Sequence, residues 1–189
     1  MKPLMLAAAL ALAAPAAFAA ETYVLDSSHS QVLFSYDHLG FSTTYGMFSG
    51  FEGRIMFDQD DPSASSVQVS MPVKSMFTGW EARTGHFMSD DFFGVQDGDM
   101  IVFNSTSIEV TGERQARITG DLTMNDITRS VVLDAELNAV GDHPQAGTPW
   151  AGFDATTTLI RSDFNLGAFA PFVSDEVEVA ISIEAMKAD

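Results

Sequence analysis

The stretch ARITGDLTM, residues 116 to 124, alternates between polar and apolar positions and is typical of a β-strand. Its polar face consists of Arg117, Thr119, Asp121 and Thr123. Its apolar face consists of Ala116, Ile118, Gly120, Leu122 and Met124. Glycine has no side chain to pack and alanine has only a methyl group, so a strand that covers a protein core gains little from them. What fills the space beside Gly120 therefore bears on both fold and function.

Seven further segments show the same two-residue period and predict strands. They are SQVLFSYDH (30–38), GFEGRIMFD (50–58), SVQVSMPVK (66–74), MIVFNSTSIEV (100–110), VVLDAELNA (131–139), AGFDATTTLIR (151–161) and EVEVAISIEA (176–185). The alternation changes phase within residues 100–110, which predicts a β-bulge. TYVLD, residues 22–26, is either a ninth short strand or the start of the first one.

Eight antiparallel strands with one apolar face each predict an all-β fold, and their closure into a barrel leaves no edge strand exposed. The segment TGWEARTGHFMSDDFF (78–93) does not alternate, and residues 81–88 within it predict a short helix. There is no internal repeat or linker, so residues 20–189 are predicted to form one domain.

The predicted interior contains several small residues. Those on the inward phase are Gly53, Ala116, Gly120, Ala135, Ala139 and Ala155. A barrel of about eight strands is either filled by its own side chains or holds one small ligand. Two explanations stay open at this point. Aromatic residues fill the space across the barrel, namely Phe34, Tyr36, Phe51, Phe57, Phe103 and Phe153, or a ligand fills it.

The first residues of the chain are typical of a secretory signal peptide. Residues 2–20 begin with a positive charge, continue as an apolar run and end in small residues. The motif AFA at 17–19 predicts cleavage after Ala19, or as a second choice after Ala20. The mature protein is therefore expected to be exported to the periplasm in soluble form.

The composition excludes several classes of function. The chain has 26 acidic and 9 basic residues, a formal net charge of −17. Such acidity argues against nucleic-acid binding through phosphates and against electrostatic docking on anionic lipid. The chain has no cysteine, which excludes disulfides, zinc thiolates and iron–sulfur clusters.

Several segments together resemble the YceI-like family of exported, lipocalin-type barrel proteins. They are YVLDSSHSQVLFSYDHLGFS (23–42), GMFSGFEGRIMFD (46–58), RTGHFMSDDFF (83–93), MIVFNST (100–106), ITGDLTMNDITRSVVLDAEL (118–137), ATTTLIRSDFNLG (155–167) and SDEVEVAISIEA (174–185). The resemblance implies an eight-stranded antiparallel barrel with a helical cover. It also implies binding of a polyisoprenoid or similar long apolar chain. Asn165 and the pair Asn125-Asp126 depart from the family pattern, and all three are residues that turns accept.

The strand phase and the resemblance give three groups of candidate binding residues. The predicted wall of the lumen is Phe34, Tyr36, Phe51, Phe103, Gly120, Leu122, Ala135 and Phe153. The predicted donors for a lipid head group at the mouth are His38, Arg83, His86 and Arg161. Alternatively, His38 is a structural histidine and the other three pair with nearby carboxylates. The predicted lid, either a plug or a gate, is Trp80, Phe87, Phe92 and Phe93.

The sequence predicts neither a catalytic nor a metal site. Asp26, Ser28 and His29 lie close in sequence, but neighbours on a strand point to opposite faces, so no Ser-His-Asp site is expected there. The four histidines show no i, i+4 pair. No cofactor is implied beyond a bound isoprenoid lipid or isoprenoid quinone.

The predicted function is a non-catalytic carrier or store for a long isoprenoid-type lipid, with at most transient membrane contact. Two alternatives remain. One is an interaction or stress-related protein with a filled core, and the other is an enzyme that acts on a bound lipid. The oligomeric state is left open.

Overall fold

The computed structural model describes residues 20–188, which form one antiparallel sheet rolled into a barrel. The predicted signal peptide lies outside the described residues. The strands are β1 (Glu21–Leu25), β2 (Gln31–His38), β3 (Ser42–Phe48), β4 (Glu52–Phe57), β5 (Ser66–Pro72), β6 (Met100–Val110), β7 (Gln115–Met124), β8 (Ile127–Asp142), β9 (Pro149–Ile160) and β10 (Glu176–Lys187). One α-helix, α1 (Glu81–Met88), and short 3-10 helices at Pro62–Ala64, Val73–Ser75 and Arg161–Phe164 complete the fold.

The ten strand segments make an eight-stranded closed barrel, as predicted. β10 pairs along residues 178–182 with β2 and along residues 185–187 with β1. On the other side, β1 pairs with β4 and β2 pairs with β3. β1 and β2 therefore act as one interrupted strand, and β3 and β4 act as another. The remaining strands pair in chain order, from β4 through β5 to β10.

The strand predictions are confirmed at eight places and miss one segment. β3 is not among the predicted strands, although it pairs with β2 along its whole length. TYVLD is β1, which makes it the start of the first, interrupted barrel strand. Helix α1 has the predicted bounds. The predicted bulge lies between Ser105 and Ser107, and β8 has a second bulge between Leu137 and Ala139 that the sequence did not predict.

The unusual turn residues have a conformational reason. Asn125 and Asp126 join β7 to β8 with φ angles of 53° and 60°. Two successive left-handed residues favour a tight hairpin, and asparagine and aspartate adopt this conformation more readily than most residues do. Asn165 ends the 3-10 helix Arg161–Phe164 with φ 58°. These departures from the family pattern thus keep the turns intact.

The interior has two differently packed sides. In the packed wall, the inward side chains of β1 and β4 are buried, as are those at residues 101–103 of β6 and 122–124 of β7; those of β5, which lies between β4 and β6, are half-buried. Those buried side chains are Tyr23, Leu25, Ile55, Phe57, Ile101, Phe103, Leu122 and Met124. The open wall comprises β8, β9 and β10, where the inward side chains are half-buried except for Ala151 and Ala185. The side chains of the open wall are half-exposed and face a cavity, which six of the eight buried packed-wall side chains also border.

A candidate ligand-binding cavity

A cavity of about 500 Å³ lies inside the barrel and is lined almost entirely by apolar side chains. Seven of the eight predicted wall residues line it. They are Phe34, Tyr36, Phe51, Phe103, Leu122, Ala135 and Phe153. The eighth, Gly120, is not part of the lining, because the Phe103 ring covers it. An aromatic side chain thus fills the space beside Gly120, whereas Ala135 borders the cavity that a ligand could fill.

At two glycines, an aromatic ring from the neighbouring strand occupies the space where a side chain would lie. A Cβ atom on Gly120 would overlap the Phe103 ring and lie 2.7 Å from the carbonyl oxygen of Asn104. Gly46 lies directly opposite Phe34 on the paired strand, and a Cβ there would overlap the Phe34 ring. These glycines are therefore close-packing positions. Ala135, which lines the cavity and pairs with Ala116 across β7 and β8, faces open space.

The open wall consists mainly of branched aliphatic side chains. Along β8, Val131, Leu133, Ala135 and Leu137 line the cavity and alternate with outward polar or exposed residues. β9 and β10 continue the same surface with two-residue spacing. These strands present a mainly apolar face, because valine, leucine, isoleucine and alanine side chains have no polar atom, and Thr157 of β9 adds one hydroxyl. The surface suits a long flexible hydrocarbon rather than a compact polar molecule.

An aromatic lid closes one end of the cavity. Phe87 from α1 and Phe92 from the following turn pack with ring centroids 5.0 Å apart, and Phe87 also meets Tyr36 of β2 at 6.1 Å. Phe93 lines the cavity beside them. Trp80, the fourth predicted lid residue, does not line the cavity and is 62% exposed. The Arg83 guanidinium lies 5.9 Å from the centroid of the Trp80 ring.

Arg161 is buried at the lid end, and its donors bind backbone carbonyls. Nε donates to Ser174 at 2.8 Å, and one terminal nitrogen donates to Val173 at 2.9 Å. The other terminal nitrogen donates to Ala168 at 2.8 Å and also to Leu166. Burial lowers the pKa of the guanidinium, while the Asp175 carboxylate acts in the opposite direction. Arg161 therefore organises the loop between β9 and β10, although its side chain also borders the cavity.

The other predicted head-group residues lie near this end but do not line the cavity. His38 is exposed at the end of β2. His86 hydrogen-bonds Asp91 through Nε2 at 2.9 Å, and Arg83 donates to the carbonyl of Thr78 at 3.2 Å. Each already has a protein partner or faces solvent, so their roles in binding a head group stay predictions.

The opposite rim of the cavity carries polar residues that the sequence reasoning did not select. Arg114 lies in the hairpin between β6 and β7, and its Nε donates to the carbonyl of Leu137 at 2.6 Å. Glu113, Gln115 and Glu136 also border the cavity there. The signal that could have identified Arg114 was its place in TGER, between two predicted strands that line the same lumen.

The expectation that Asp26, Ser28 and His29 cannot assemble is wrong, because they lie in a turn between β1 and β2 rather than on a strand. His29 Nδ1 lies 2.6 Å from Asp26 Oδ2 and 3.1 Å from the Ser28 hydroxyl. The hydrogen bond lowers the pKa of Asp26 and raises the pKa of His29. Both neighbours approach the same ring nitrogen, so the histidine cannot relay a proton from serine to aspartate.

The same turn gathers three side chains that could ligate a metal ion. The ligand atoms of Asp26, His29 and Glu184 all lie within 4.8 Å of one another. The hydrogen bond between Asp26 and His29 accounts for their closeness without an ion. None of the three lines the cavity, so this cluster is separate from the apolar site.

Comparison with known proteins places this barrel among its relatives. The YceI-like domain model matches residues 23–185. The chain belongs to the YceI-like family. It is 39% identical over 170 residues to a UPF0312 protein of Ectopseudomonas mendocina, covering 89% of this chain and 88% of the relative. The resemblance inferred from the sequence segments is thereby confirmed.

Solved structures show the same fold. The crystal structure of Burkholderia cenocepacia BcnA matches with a TM-score of 0.76 at 22% identity, covering 85% of this chain and 98% of that chain. A polyisoprenoid binding domain from Saccharophagus degradans, implicated in plant cell wall breakdown, matches with a TM-score of 0.65 at 15% identity. That match covers 88% of this chain and 98% of the other. Over residues 20–188, no helix is both long and apolar enough to cross a membrane.

Proposed function

We propose that this protein is an exported, periplasmic, non-catalytic binding protein that holds a long isoprenoid chain, as a lipid or a quinone, inside the barrel. The observation that carries the proposal is the apolar cavity of about 500 Å³ between the lid and the opposite rim. Small-molecule sites in proteins fall in a range of roughly 300–1,000 Å³ and are lined mostly by apolar groups. The Saccharophagus domain with the same fold is named for polyisoprenoid binding, which supports this choice of ligand.

The driving force is transfer of the chain from water into the cavity. Each buried CH₂ group contributes about 0.8 kcal/mol, so ten chain carbons contribute roughly 8 kcal/mol. This gross value is on the scale of micromolar affinity before the costs of association and chain ordering. Binding therefore needs no strong polar contact, which agrees with the small number of polar side chains along the lumen.

The cavity weighs against the two alternatives. A filled-core interaction protein would not leave the inward residues of three consecutive strands half-exposed. An enzyme needs reactive groups at the ligand, and the polar side chains that face the lumen include Thr157 on β9 and Arg161 at the lid end. The Arg161 donors are already bound to backbone carbonyls. Partition of an apolar chain is the function that this lining favours.

Native mass spectrometry of the protein from its own compartment, followed by solvent extraction, tests the proposal. We expect an adduct whose mass matches an isoprenoid lipid or quinone. Ala135→Phe, which places a ring in the cavity, should abolish the adduct. Val132→Phe is the matched control, because Val132 lies on the same strand and faces outward. An adduct retained in Ala135→Phe, or wild-type protein without any apolar adduct that also fails to take up a fluorescent polyprenol, would refute the proposal.

The same preparation tests export. N-terminal sequencing should begin at Ala20 or Glu21. A chain that retains Met1 in a membrane fraction would contradict the periplasmic assignment.

A further inference from the structure

The most exposed aromatic side chains in residues 20–188 are concentrated at the lid end of the barrel. They are Phe41, Tyr45, Phe77, Trp80, Phe169 and Phe172, here called the aromatic tip. Phe41 is 89% exposed and Phe172 is 75% exposed. The exposed apolar residues elsewhere on the barrel are aliphatic, such as Val24 and Val132. Aromatic exposure thus marks one end of the molecule.

Backbone contacts bring the elements of the tip together. The Leu39 amide in the β2–β3 turn donates to the carbonyl of Phe172 at 3.1 Å. The Phe77 amide donates to Met47 of β3 at 2.8 Å, which places Phe77 beside the strand that carries Tyr45. The tip is also continuous with the lid, because the Phe169 ring centroid lies 6.1 Å from that of Phe92, a residue that lines the cavity.

Two loops of the tip carry no charge, whereas the protein is acidic; around Trp80 the tip borders Glu81 and Arg83, whose guanidinium lies 5.9 Å from the Trp80 ring centroid. Residues 39–51 and 164–174 contain no charged side chain, although the chain has a formal net charge of −17. Leu39 and Phe169 have φ angles of 61° and 65°, a region that bulky residues rarely adopt. Such a conformation persists only where the surroundings hold it, and it is found more often at functional sites. Two of the loops that form the tip therefore each hold an apolar residue in an unfavourable backbone conformation.

We propose that the aromatic tip docks on a lipid bilayer whose headgroups carry no net charge, so that the lid faces the membrane and the ligand passes between bilayer and cavity. Tryptophan and tyrosine favour the membrane–water interface, and phenylalanine occurs on the apolar faces that bury at the boundary between headgroups and acyl chains. An anionic surface would repel the acidic barrel. A second copy of the chain is a poorer partner, because two proteins with the same large negative charge would have to meet. The proposal rests on the proposed function, and it adds the surface from which the ligand is loaded.

Sedimentation with phosphatidylcholine vesicles tests the docking. Phe41→Ser/Phe172→Ser removes two exposed rings and should weaken vesicle binding about tenfold or more, given the transfer energy of one buried Phe. Val24→Ser/Val132→Ser is the matched control, because both valines are exposed on the outer face away from the tip. Replacing a third of the lipid with phosphatidylglycerol should weaken wild-type binding at low salt. Equal binding by the tip variant and the control would overturn the proposal.

A second measurement separates docking from ligand binding. Fluorescent polyprenol added from solvent, without vesicles, should enter the wild type and the tip variant equally, whereas transfer from vesicles should be slower for the variant. Wild-type protein that binds vesicles but takes up no polyprenol would refute the proposed function and leave docking intact. Protein that takes up polyprenol but does not bind vesicles would refute docking alone. A wild-type dimer that the tip substitutions dissociate, without vesicle binding, would assign the tip to a second copy and overturn the proposal.

Discussion

Leu25 on β1 and Leu133 on β8 both point into the barrel, yet they meet different surroundings. Leu25 is buried in the packed wall, while Leu133 is half-buried in the open wall and borders the cavity. Both strands have the same alternating pattern. The alternation thus decides which way a side chain points, but the residues across the barrel decide whether it meets protein or empty space.

The difference arises from the side chains that each wall contributes. On the packed wall, the Tyr23 and Phe57 rings pack edge to face with centroids 5.9 Å apart. Phe103 covers Gly120, so even the small residues there are in close contact. On the open wall, Phe153 of β9 reaches the packed wall, where its ring packs edge to face with Phe57 at 5.5 Å between centroids. The other open-wall side chains are mainly valine, leucine, isoleucine and alanine, which are too short to reach the opposite side. The packed wall supplies stability, and the open wall supplies volume for the ligand.

The largest effect is expected where the open wall ends, at Arg161. Arg161→Gln should lower the free energy of unfolding by about 3–5 kcal/mol, since it leaves several backbone carbonyls without the charged donor that they now share. Urea unfolding measures this loss. Uptake of a phosphorylated polyprenol and of the uncharged alcohol should change equally per folded molecule. Selective loss of the phosphorylated lipid would instead show that Arg161 binds a head group and belongs to the ligand site.

The two leucines test the comparison directly. Leu25→Ala should cost about 2–5 kcal/mol, because it leaves a cavity in a packed region. Leu133→Ala should cost distinctly less than Leu25→Ala, because the deleted atoms already border empty space. Thermal unfolding of the delipidated proteins measures both. Polyprenol uptake should fall for Leu133→Ala and stay near the wild-type level for folded Leu25→Ala. Equal destabilisation by the two changes would show that the open wall is packed in solution.

Two small residues sharpen the same contrast. Gly120→Ala should destabilise the protein by about 1–3 kcal/mol, since its Cβ would overlap the Phe103 ring. Ala135→Phe should keep the melting temperature of the delipidated protein, because the new ring enters the cavity. Adding Phe103→Leu to Gly120→Ala should recover part of the loss, and the double-mutant cycle measures that coupling. A strongly destabilised Ala135→Phe would mean that the cavity is not open at this position.

The alternating pattern and the turn residues were sufficient to predict the barrel. They did not predict the local interruptions of its strands. Strand β3 was missed because STTYGMF (42–48) has few apolar residues and a glycine at an inward position, and that glycine is covered by Phe34 from the paired strand. Contacts of this kind join residues far apart in sequence. For the same reason, the phase of Gly120 placed it correctly on the inner face without revealing the ring above it.

The cavity wall was more predictable than its ends. Strand phase identifies most inward positions, and seven of the predicted wall residues line the cavity. It is wrong at Ala139, because the bulge after Leu137 leaves Ala139 exposed and places Val140 on the lining. The ends are built from loops, where direction does not follow from a period. Arg161 illustrates the limit, because its carbonyl partners lie in the loop after β9 and become neighbours only when that loop folds over it. The turn at Asp26–His29 shows the same limit. A strand would point neighbouring side chains to opposite faces, whereas the turn brings those of Asp26, Ser28 and His29 together.

The smallest expected effect lies in that turn, outside both walls. The hydrogen bond raises the pKa of His29, so this contribution to stability is present below the unfolded-state value of about 6.5 and is lost as the pH rises through the folded-state pKa. It lowers the pKa of Asp26, so that contribution is present above about 3.9 and is lost as the pH falls through the folded-state pKa. The pair therefore contributes most at pH values between about 4 and 6.5.

Asp26→Asn keeps an oxygen that can accept from the Ser28 amide but removes the charge. The stability difference between wild type and Asp26→Asn should peak in this window, and an NMR titration should show a lower His29 pKa in the variant. A difference that does not vary with pH, together with an unchanged His29 titration, would mean that the turn is held by its neutral hydrogen bonds alone.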